Sequence, residues 1–315
     1  MGNSTRELPA ASFAARFARR AAKSIAFRTR NLVSMRALRL KLARRLFFPV
    51  RNAVLRHKPL TVKVDGESFL LAPAGAVPLE MWSGRYFERH EIEFLVGLLR
   101  PGMTFFDIGA NVGVFSLPAA KKLQNGRVFA FEPAAWTFQR LLENVRLNDL
   151  SNLQVMNVAV GDYSGEAILK INAKGKDGLN TLGRPTHEDS EIVATETVPI
   201  TTLDDFVRQN SISHIDVMKI DTEGAELFVL RGAANLLAKP DAPLILYEGG
   251  FLTKGFGYHP VETMWLLERH GYSCFVIDSK TGRISIPPAK RAYDATVIAA
   301  KPAHPAYPIL SEQTR

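Results

Sequence analysis

Three acids fall within six residues in the string Lys219-Ile220-Asp221-Thr222-Glu223-Gly224-Ala225-Glu226. Crowded carboxylates cost free energy unless they face a ligand or backbone amides. Glu223 and Glu226 suit the first turn of a following helix, where the dipole favours acids. Asp221, closing an apolar run, is harder to explain that way and reads as facing a ligand. A second acid-closed run, Phe105-Phe106-Asp107-Ile108-Gly109-Ala110-Asn111-Val112-Gly113, has glycines that let backbone approach a ligand ahead of a helix N-terminus. Its spacing is Gly-x-x-x-Gly, which matches neither the Gly-x-Gly-x-x-Gly of dinucleotide sites nor a phosphate loop. Glu132 lies 19 residues beyond Gly113, where an acid accepts both hydroxyls of a ribose; alone, it could equally serve a helix dipole. Further on, either Asn157 or the turn at Gly161-Asp162 borders the base of such a nucleoside. Tyr247-Glu248-Gly249-Gly250 adds a further acid at the end of an apolar run. His259 lies on the glycine-rich stretch Gly255-Phe256-Gly257-Tyr258-His259-Pro260, after the fifth long apolar run. His57, His90, His187, His214, His270 and His304 have no such setting and read as structural or solvated.

These residues follow short apolar runs at 103–106, 127–131, 153–158, 215–220 and 243–247, which alternate with helical patterns at 112–123, 135–147, 224–237 and 261–270. Continuous apolar strands alternating with helices predict an α/β fold with a mostly parallel sheet covered on both faces. In such a sheet, ligands bind beyond the carboxyl ends of the strands. Upstream, 61–64 and 68–71 flank Asp65-Gly66 as a hairpin, and a helix over 86–99 stops at Pro101-Gly102. Near the end, 272–277 and 293–300 flank a turn at 280–282 and predict an antiparallel pair closing the sheet. The Gly-, Asn- and Asp-rich stretch 172–197, with a weak strand around 192–198, is either a substrate-side excursion or a plain surface insertion.

The 315 residues, with 46% apolar and 23% charged, are ordinary for a globular protein. One cysteine, Cys274, excludes a disulfide framework, and no Cys/His cluster has metal-finger spacing. No apolar run reaches transmembrane length and no compact signal-peptide core opens the chain, so a cytoplasmic protein is expected. The net charge of +9 hides a division: residues 1–58 carry 15 Lys/Arg against one acid, and the rest of the chain 25 against 30. Residues 11–28 put Phe13, Phe17, Ala21 and Ile25 on one side of a helix and Arg16, Arg19, Arg20 and Lys23 on the other, although Arg28 intrudes. Residues 32–48 mix Leu with Arg and Lys without a clean face. Four readings of this arm stand: a helix packed on the body, a helix on an anionic membrane surface, a nucleic-acid arm and an organellar presequence. The interleaved Phe and Leu place nucleic acid behind the membrane surface.

Taken together, Asp107-x-Gly109-Ala-Asn111-x-Gly113, Glu132-Pro133, Asn144 through Asn148, Ala159-x-Gly161-Asp162, Val198-Pro199-x-Thr201-Thr202-Leu203-Asp204-Asp205 and Lys219-Ile220-Asp221-x-Glu223-Gly224-x-Glu226 resemble the FkbM family of S-adenosylmethionine-dependent methyltransferases. The resemblance covers about residues 60–300. Pro118 departs from the family's helix-forming residue and is expected to kink its helix. The resemblance implies a class I methyltransferase, Rossmann-like, with a seven-stranded sheet whose last strand is antiparallel, and a place for 293–300 as that strand. It implies S-adenosylmethionine as cofactor, with Asp107, Gly109, Asn111 and Gly113 around its methionine part and Glu132 on its ribose. Glu88 resembles a family position near that pocket. Family members methylate hydroxyls on polyketides and sugars.

The resulting expectation is a basic arm over 1–58 and a methyltransferase domain over 59–310. The reaction expected is methyl transfer to a hydroxyl of a saccharide, glycolipid or polyketide-like metabolite. For that reaction Asp221 is the first candidate base and His259 the second, with Glu223 and Glu248 able to orient the acceptor, so Asp221, His259 and Glu223 are the expected catalytic residues; Asp107, Gly109, Asn111, Gly113, Glu132 and Asn157 are expected at the cofactor; no resident metal is expected. The partners expected are a small-molecule or glycan acceptor and an anionic membrane surface met by residues 11–48. The rivals are an RNA 2′-hydroxyl methyltransferase using the arm and a catalytically silent scaffold. Base-amine methyltransferases carry an Asn/Asp-Pro-Pro-aromatic string where this chain has Asp221-Thr222-Glu223-Gly224, and its Pro287-Pro288 lies elsewhere, in the last hairpin.

Overall fold

A computed structural model describes residues 58–64, 67–71, 88–173, 176–188, 190–279, 281–287 and 295–314. The basic arm lies outside them apart from Lys58, which ends it; everything else described belongs to one compact unit, Pro59–Arg315. No helix among the described residues is long and apolar enough to cross a membrane.

The chain opens with a hairpin, β1 (Leu60–Val64) and β2 (Glu67–Leu71), and a helix, α1 (Arg89–Leu98). Then come β3 (Thr104–Ile108), α2 (Ser116–Lys122), β4 (Arg127–Phe131), α3 (Ala135–Leu147) and β5 (Leu153–Met156). A side sheet comes next, of β6 (Ala159–Val160), β7 (Gly165–Asn172) and β8 (Ile192–Thr201), ending in α4 (Leu203–Gln209). The series resumes with β9 (Val217–Ile220), α5 (Glu226–Arg231), α6 (Ala234–Ala238), β10 (Leu244–Gly249), α7 (Val261–Arg269), β11 (Ser273–Ile277), β12 (Ile284–Ser285), β13 (Ala295–Ala300) and α8 (Tyr307–Gln313). The main sheet runs β12-β11-β13-β10-β9-β3-β4-β5. Strands β3, β4, β5, β9 and β10 are mutually parallel, and β13 is antiparallel between β10 and β11. Seven of these strands are those expected; the eighth, β12, adds two residues at the edge of β11.

Alternate residues of each strand feed opposite faces, which is why the strands read as unbroken apolar runs. Phe105, Val217 and Leu246 face Ile92 and Leu95 of α1, Leu117 of α2 and Leu141 of α3. Phe106, Met218 and Ile245 face Phe206 of α4, Leu230 of α5 and Leu267 of α7. On that second face Phe106, Phe129, Phe131 and Phe206 stack at centroid distances of 4.8–6.0 Å. Each buried Phe contributes about 1.5–3 kcal/mol, so the strands that carry the site are held from both sides.

Two local expectations change. Pro118 does not kink α2: it lies in the first turn, where the amide it lacks has no intrahelical partner to lose. The helix expected over 224–237 is two short helices, because Gly232 lies so close to Gly161 that a Cβ there would meet its carbonyl oxygen at 2.0 Å. Polar residues of the family-like strings serve as fasteners. Thr202 caps α4 by accepting from Asp205 N at 3.0 Å, Asp204 accepts from Asn235 N and Leu236 N at α6, and Asn148 bonds both the N–H and the carbonyl of Leu70.

Candidate active site

Gly109 follows β3 with φ +80°, and its amide and that of Ala110 both donate to Phe131 O at the end of β4. A Cβ at Gly109 would stand 1.8 Å from Asp221 O, so only glycine fits between the ends of β4 and β9. Asn111, also left-handed at φ 50°, donates its amide to Glu132 Oε2 at 3.0 Å. Glu132 Oε1 accepts from Ala134 N at 3.0 Å. Burial lifts the Glu132 carboxyl to about 7, against the pull of these two amides.

These turns wall a cleft enclosing about 660 Å³ at the carboxyl ends of the strands. Gly109, Asn111, Glu132, Asp221 and Glu223 line it together, beside the apolar surfaces of Phe131, Val158, Val160 and Leu169. The polar stretch 172–197 contributes Gly178, Asn180, Thr181 and Leu182 to the wall. Thr181 Oγ1 donates to Glu223 O at 3.2 Å, and Arg184 N donates to Gly255 O at 2.9 Å, which stitches the stretch to the loops after β9 and β10. Sequence reasoning named none of these lining residues; the glycines and asparagines of the stretch were the available signal.

Four expected site residues lie off the cleft wall. Asp107 is 1% exposed under the turn and accepts from Ser116 Oγ. Gly113 serves packing, since a Cβ there would press on Leu141 and Leu117. Asn157 donates to the carbonyls of Glu132 and Pro133 and so shapes the cleft from behind. His259 is exposed in a different hollow with Arg231, Trp265 and Arg269; its Nδ1 accepts from Val261 N and its amide donates to Glu262, a fastening at the start of α7.

A second hollow of about 260 Å³ adjoins Asp221 and is lined also by Glu88, Glu91, Phe115, Lys219, Tyr247, Glu248 and Thr296. Asp221, which also lines the cleft, is common to both. Carboxylate oxygens of Asp221, Glu223 and Glu248 lie within 4.8 Å of one another. Lys219 Nζ stands 2.8 Å from Asp221 Oδ2. Burial alone would raise the Asp221 carboxyl, but Lys219 outweighs it and holds it below the usual range. Burial and the Asp221 charge push Glu223 well up, and the Asp221 charge and burial do the same at Glu248. Burial likewise lifts Glu88 to about 8. Burial lowers the Lys219 ammonium, but Asp221, Glu88 and Asp107 together raise it. Glu226 turns away from this group: its Oε1 accepts from Thr222 N, Thr222 Oγ1 and Gly224 N and so fixes the turn that leads into α5.

A sheet whose seven long strands include one antiparallel member, extended at its edge by the two-residue β12, with helices on both faces and a glycine-turn cleft at the strand ends, defines a class I methyltransferase. Residues 107–274 match the family described as Methyltransferase FkbM domain, and the chain belongs to this family of S-adenosylmethionine-dependent methyltransferases. It is 31% identical over 180 residues to the 31-O-demethyl-FK506 methyltransferase FkbM of Streptomyces tacrolimicus, covering 50% of this chain and 67% of that one. It is 28% identical over 178 residues to the hexuronic acid methyltransferase AglP of Haloferax volcanii, covering 54% and 67%. To the 2-O-methyltransferase NoeI of Sinorhizobium fredii it is 26% identical over 156 residues, covering 46% and 63%. The match spans 58% and 56% of the length of two further relatives.

Proposed function

We propose that the protein transfers the methyl group of S-adenosylmethionine to a hydroxyl of a saccharide or other hydroxylated small molecule. The observation that carries this reading is the meeting of the cleft and the carboxyl cluster at Asp221. The residues present fit the cofactor. Gly109 and Asn111 line the cleft with a left-handed turn, the buried Glu132 carboxyl faces the cleft at the end of β4, and Phe131, Val158 and Leu169 offer an apolar wall to a base. Gly109, Asn111 and Glu132 would hold the cofactor, which supplies a methyl on a positively charged sulfur. Asp107, Gly113 and Asn157 would support that wall from behind.

Methyl transfer is an in-line displacement, so holding the acceptor oxygen against the methyl supplies much of the rate. The acceptor hydroxyl must also lose its proton, which calls for an acceptor within hydrogen-bond reach. An acceptor oxygen held beside the carboxyls of Asp221, Glu223 and Glu248, which lie within 4.8 Å of one another, would have such a partner. The names of two relatives, a hexuronic acid methyltransferase and a 31-O-demethyl-FK506 methyltransferase, support a sugar or polyketide-like acceptor. The catalytic domain of this reading covers 59–310. The arm, through residues 11–48, is assigned to an anionic membrane surface on its pairing of Phe with Arg.

The test supplies S-adenosylmethionine labelled on its methyl to purified protein and a lysate of its source, and counts label in glycan, lipid, RNA, protein and small-molecule fractions. Alkali-stable label in glycan, lipid or small molecules is expected. Label in RNA, or cofactor binding with no label in any fraction, overturns the reading. Liposome flotation with and without residues 1–58 tests the arm: anionic vesicles should lift the full chain alone.

A further inference from the structure

In the parallel register Lys219 lies opposite Asp107 on β3 and opposite Leu246 on β10. Glu248 comes two residues later on β10, and Asp221, just past the end of β9, keeps its Oδ2 2.8 Å from Lys219 Nζ, so both lie on the sheet face of Lys219. Phe115 covers this face, its ring centroid 4.3 Å from Lys219 Nζ. Lys219 is thus a buried ammonium with carboxyls of Asp107, Asp221 and Glu88 as its charged neighbours. An Asp221 carboxylate tied to it is a weak proton acceptor, because protonation would strand the ammonium in an apolar setting. Glu248 meets Asp221 and Glu223 instead, and like charges at this range favour taking up a proton.

We propose that Glu248 accepts the proton of the acceptor hydroxyl, and that Lys219 positions it by keeping Asp221 ionised and fixed at its side. This rests on hydroxyl methylation as proposed for the cleft. The hydroxyl oxygen forms its bond to the methyl carbon, the carbon–sulfur pair passes to sulfur, and the hydroxyl proton passes to the Glu248 carboxylate and then to water. Asp221 is therefore not the base but the neighbour that makes Glu248 basic. The charges facing Glu248 agree. Asp221 first, then burial, Glu223 and Glu88 raise the affinity of the Glu248 carboxylate for a proton, and Lys219 lowers Asp221, Glu88 and Glu223. Glu91, Asp107 and Glu226 are the other carboxyls nearby; Asp107 and Glu226 are held by their own hydrogen bonds, and Glu91 lies at the α1 side of the hollow.

The first experiment needs no acceptor. Protein labelled with carbon-13 at the Glu side-chain carboxyl is titrated by NMR, with Glu248 assigned by loss of its signal in Glu248→Gln. Glu248 should titrate above the ordinary carboxylate range and lower by about one to two pH units in Asp221→Asn; Lys219→Met, which lets Asp221 take up a proton and so removes the charge facing Glu248, should move it in the same direction. Lys219→Arg, which keeps the charge, should restore the wild-type value and covers the case in which Lys219→Met fails to fold. A Glu248 in the ordinary range, or one unmoved by Asp221→Asn, overturns the proposal. The second experiment follows kcat against pH with whichever hydroxylated acceptor takes label. The acid limb should follow the NMR value through the series and the rate fall at least 100-fold in Glu248→Gln, within the range for a lost general base. NMR shifts as expected with a kcat that ignores them would remove Glu248 as proton acceptor while leaving hydroxyl methylation standing. Absence of label from every hydroxyl would overturn both.

Discussion

The cleft and the second hollow share Asp221 but are built by different means. The cleft takes its shape from main-chain turns after β3, β4 and β9, fixed by a glycine at φ +80° and by amides on the Glu132 carboxylate. The hollow takes its chemistry from side chains on separate elements: Glu88 before α1, Glu91 on α1, Lys219 and Asp221 at β9, Glu248 on β10 and Thr296 on β13. A site made of turns is sensitive to volume. A site made of buried charges is sensitive to balance, since removing one partner leaves another uncompensated. Steric and electrostatic substitutions should therefore separate the two regions.

The largest effect is expected at Gly109→Ala. A methyl 1.8 Å from Asp221 O forces the ends of β3 and β9 apart, at a cost of about 3 kcal/mol or more in urea unfolding, with cofactor binding lost. Stability within about 0.5 kcal/mol of wild type would mean that the turn can open and that volume is not what fixes the cleft. Next comes Glu132, the one place where the cleft behaves like the hollow. Its folded carboxyl is raised from 4.5 to about 7, so the folded chain holds the proton that the unfolded chain has lost. That contribution is fully present below 4.5 and is lost as pH rises through about 7, at most about 3 kcal/mol. Glu132→Gln should remove this slope from urea midpoints measured across the same range and weaken cofactor binding about tenfold by calorimetry. An unchanged slope would place the titration elsewhere.

A smaller effect is expected at Thr181→Val. It removes the bond to Glu223 O, a residue at φ 54°, so kcat should fall about tenfold while cofactor affinity stays within about twofold. Thr181→Ser should recover the rate, and loss of both parameters together would make Thr181 part of the cofactor wall instead. Smallest is His259→Ala. It lies in neither region, so methyl transfer should stay within about twofold, with about 0.5–1 kcal/mol lost at the start of α7. A large fall in kcat with stability intact would return His259 to the chemistry.

The cleft was the more legible region because its signals are local. Gly109 and Asn111 sit on one turn, Glu132 closes the next strand, and the acid after the fourth long strand is Asp221. All are legible at the carboxyl ends of apolar runs. Gly113 and Asp107 belong to the same string yet serve packing and a buried bond to Ser116. A glycine needed for a neighbour's side chain looks, in sequence, like one needed for a ligand. Asn157 reads as base-facing by position, but its amide is spent on two carbonyls. The hollow left fewer traces. Lys219 could have been paired with Asp221 by the two-residue period of a strand, but nothing local links either to Glu88 or Glu248.

The sequence by itself determined the alternation of strands and helices, the two-faced burial that makes the strands apolar throughout, and the turns at which a ligand could meet backbone. Periodicity and glycine placement are properties of a few neighbouring residues, so they survive being read without the fold. Tertiary structure alone decided which acids share a dielectric environment. The register of β9 against β3 and β10 sets Lys219 among Asp107, Asp221 and Glu88 and brings Glu248 beside Asp221. Burial then makes one carboxyl easy to ionise and its neighbours hard. Those energies depend on distance and desolvation between residues far apart in the chain, which no local pattern encodes.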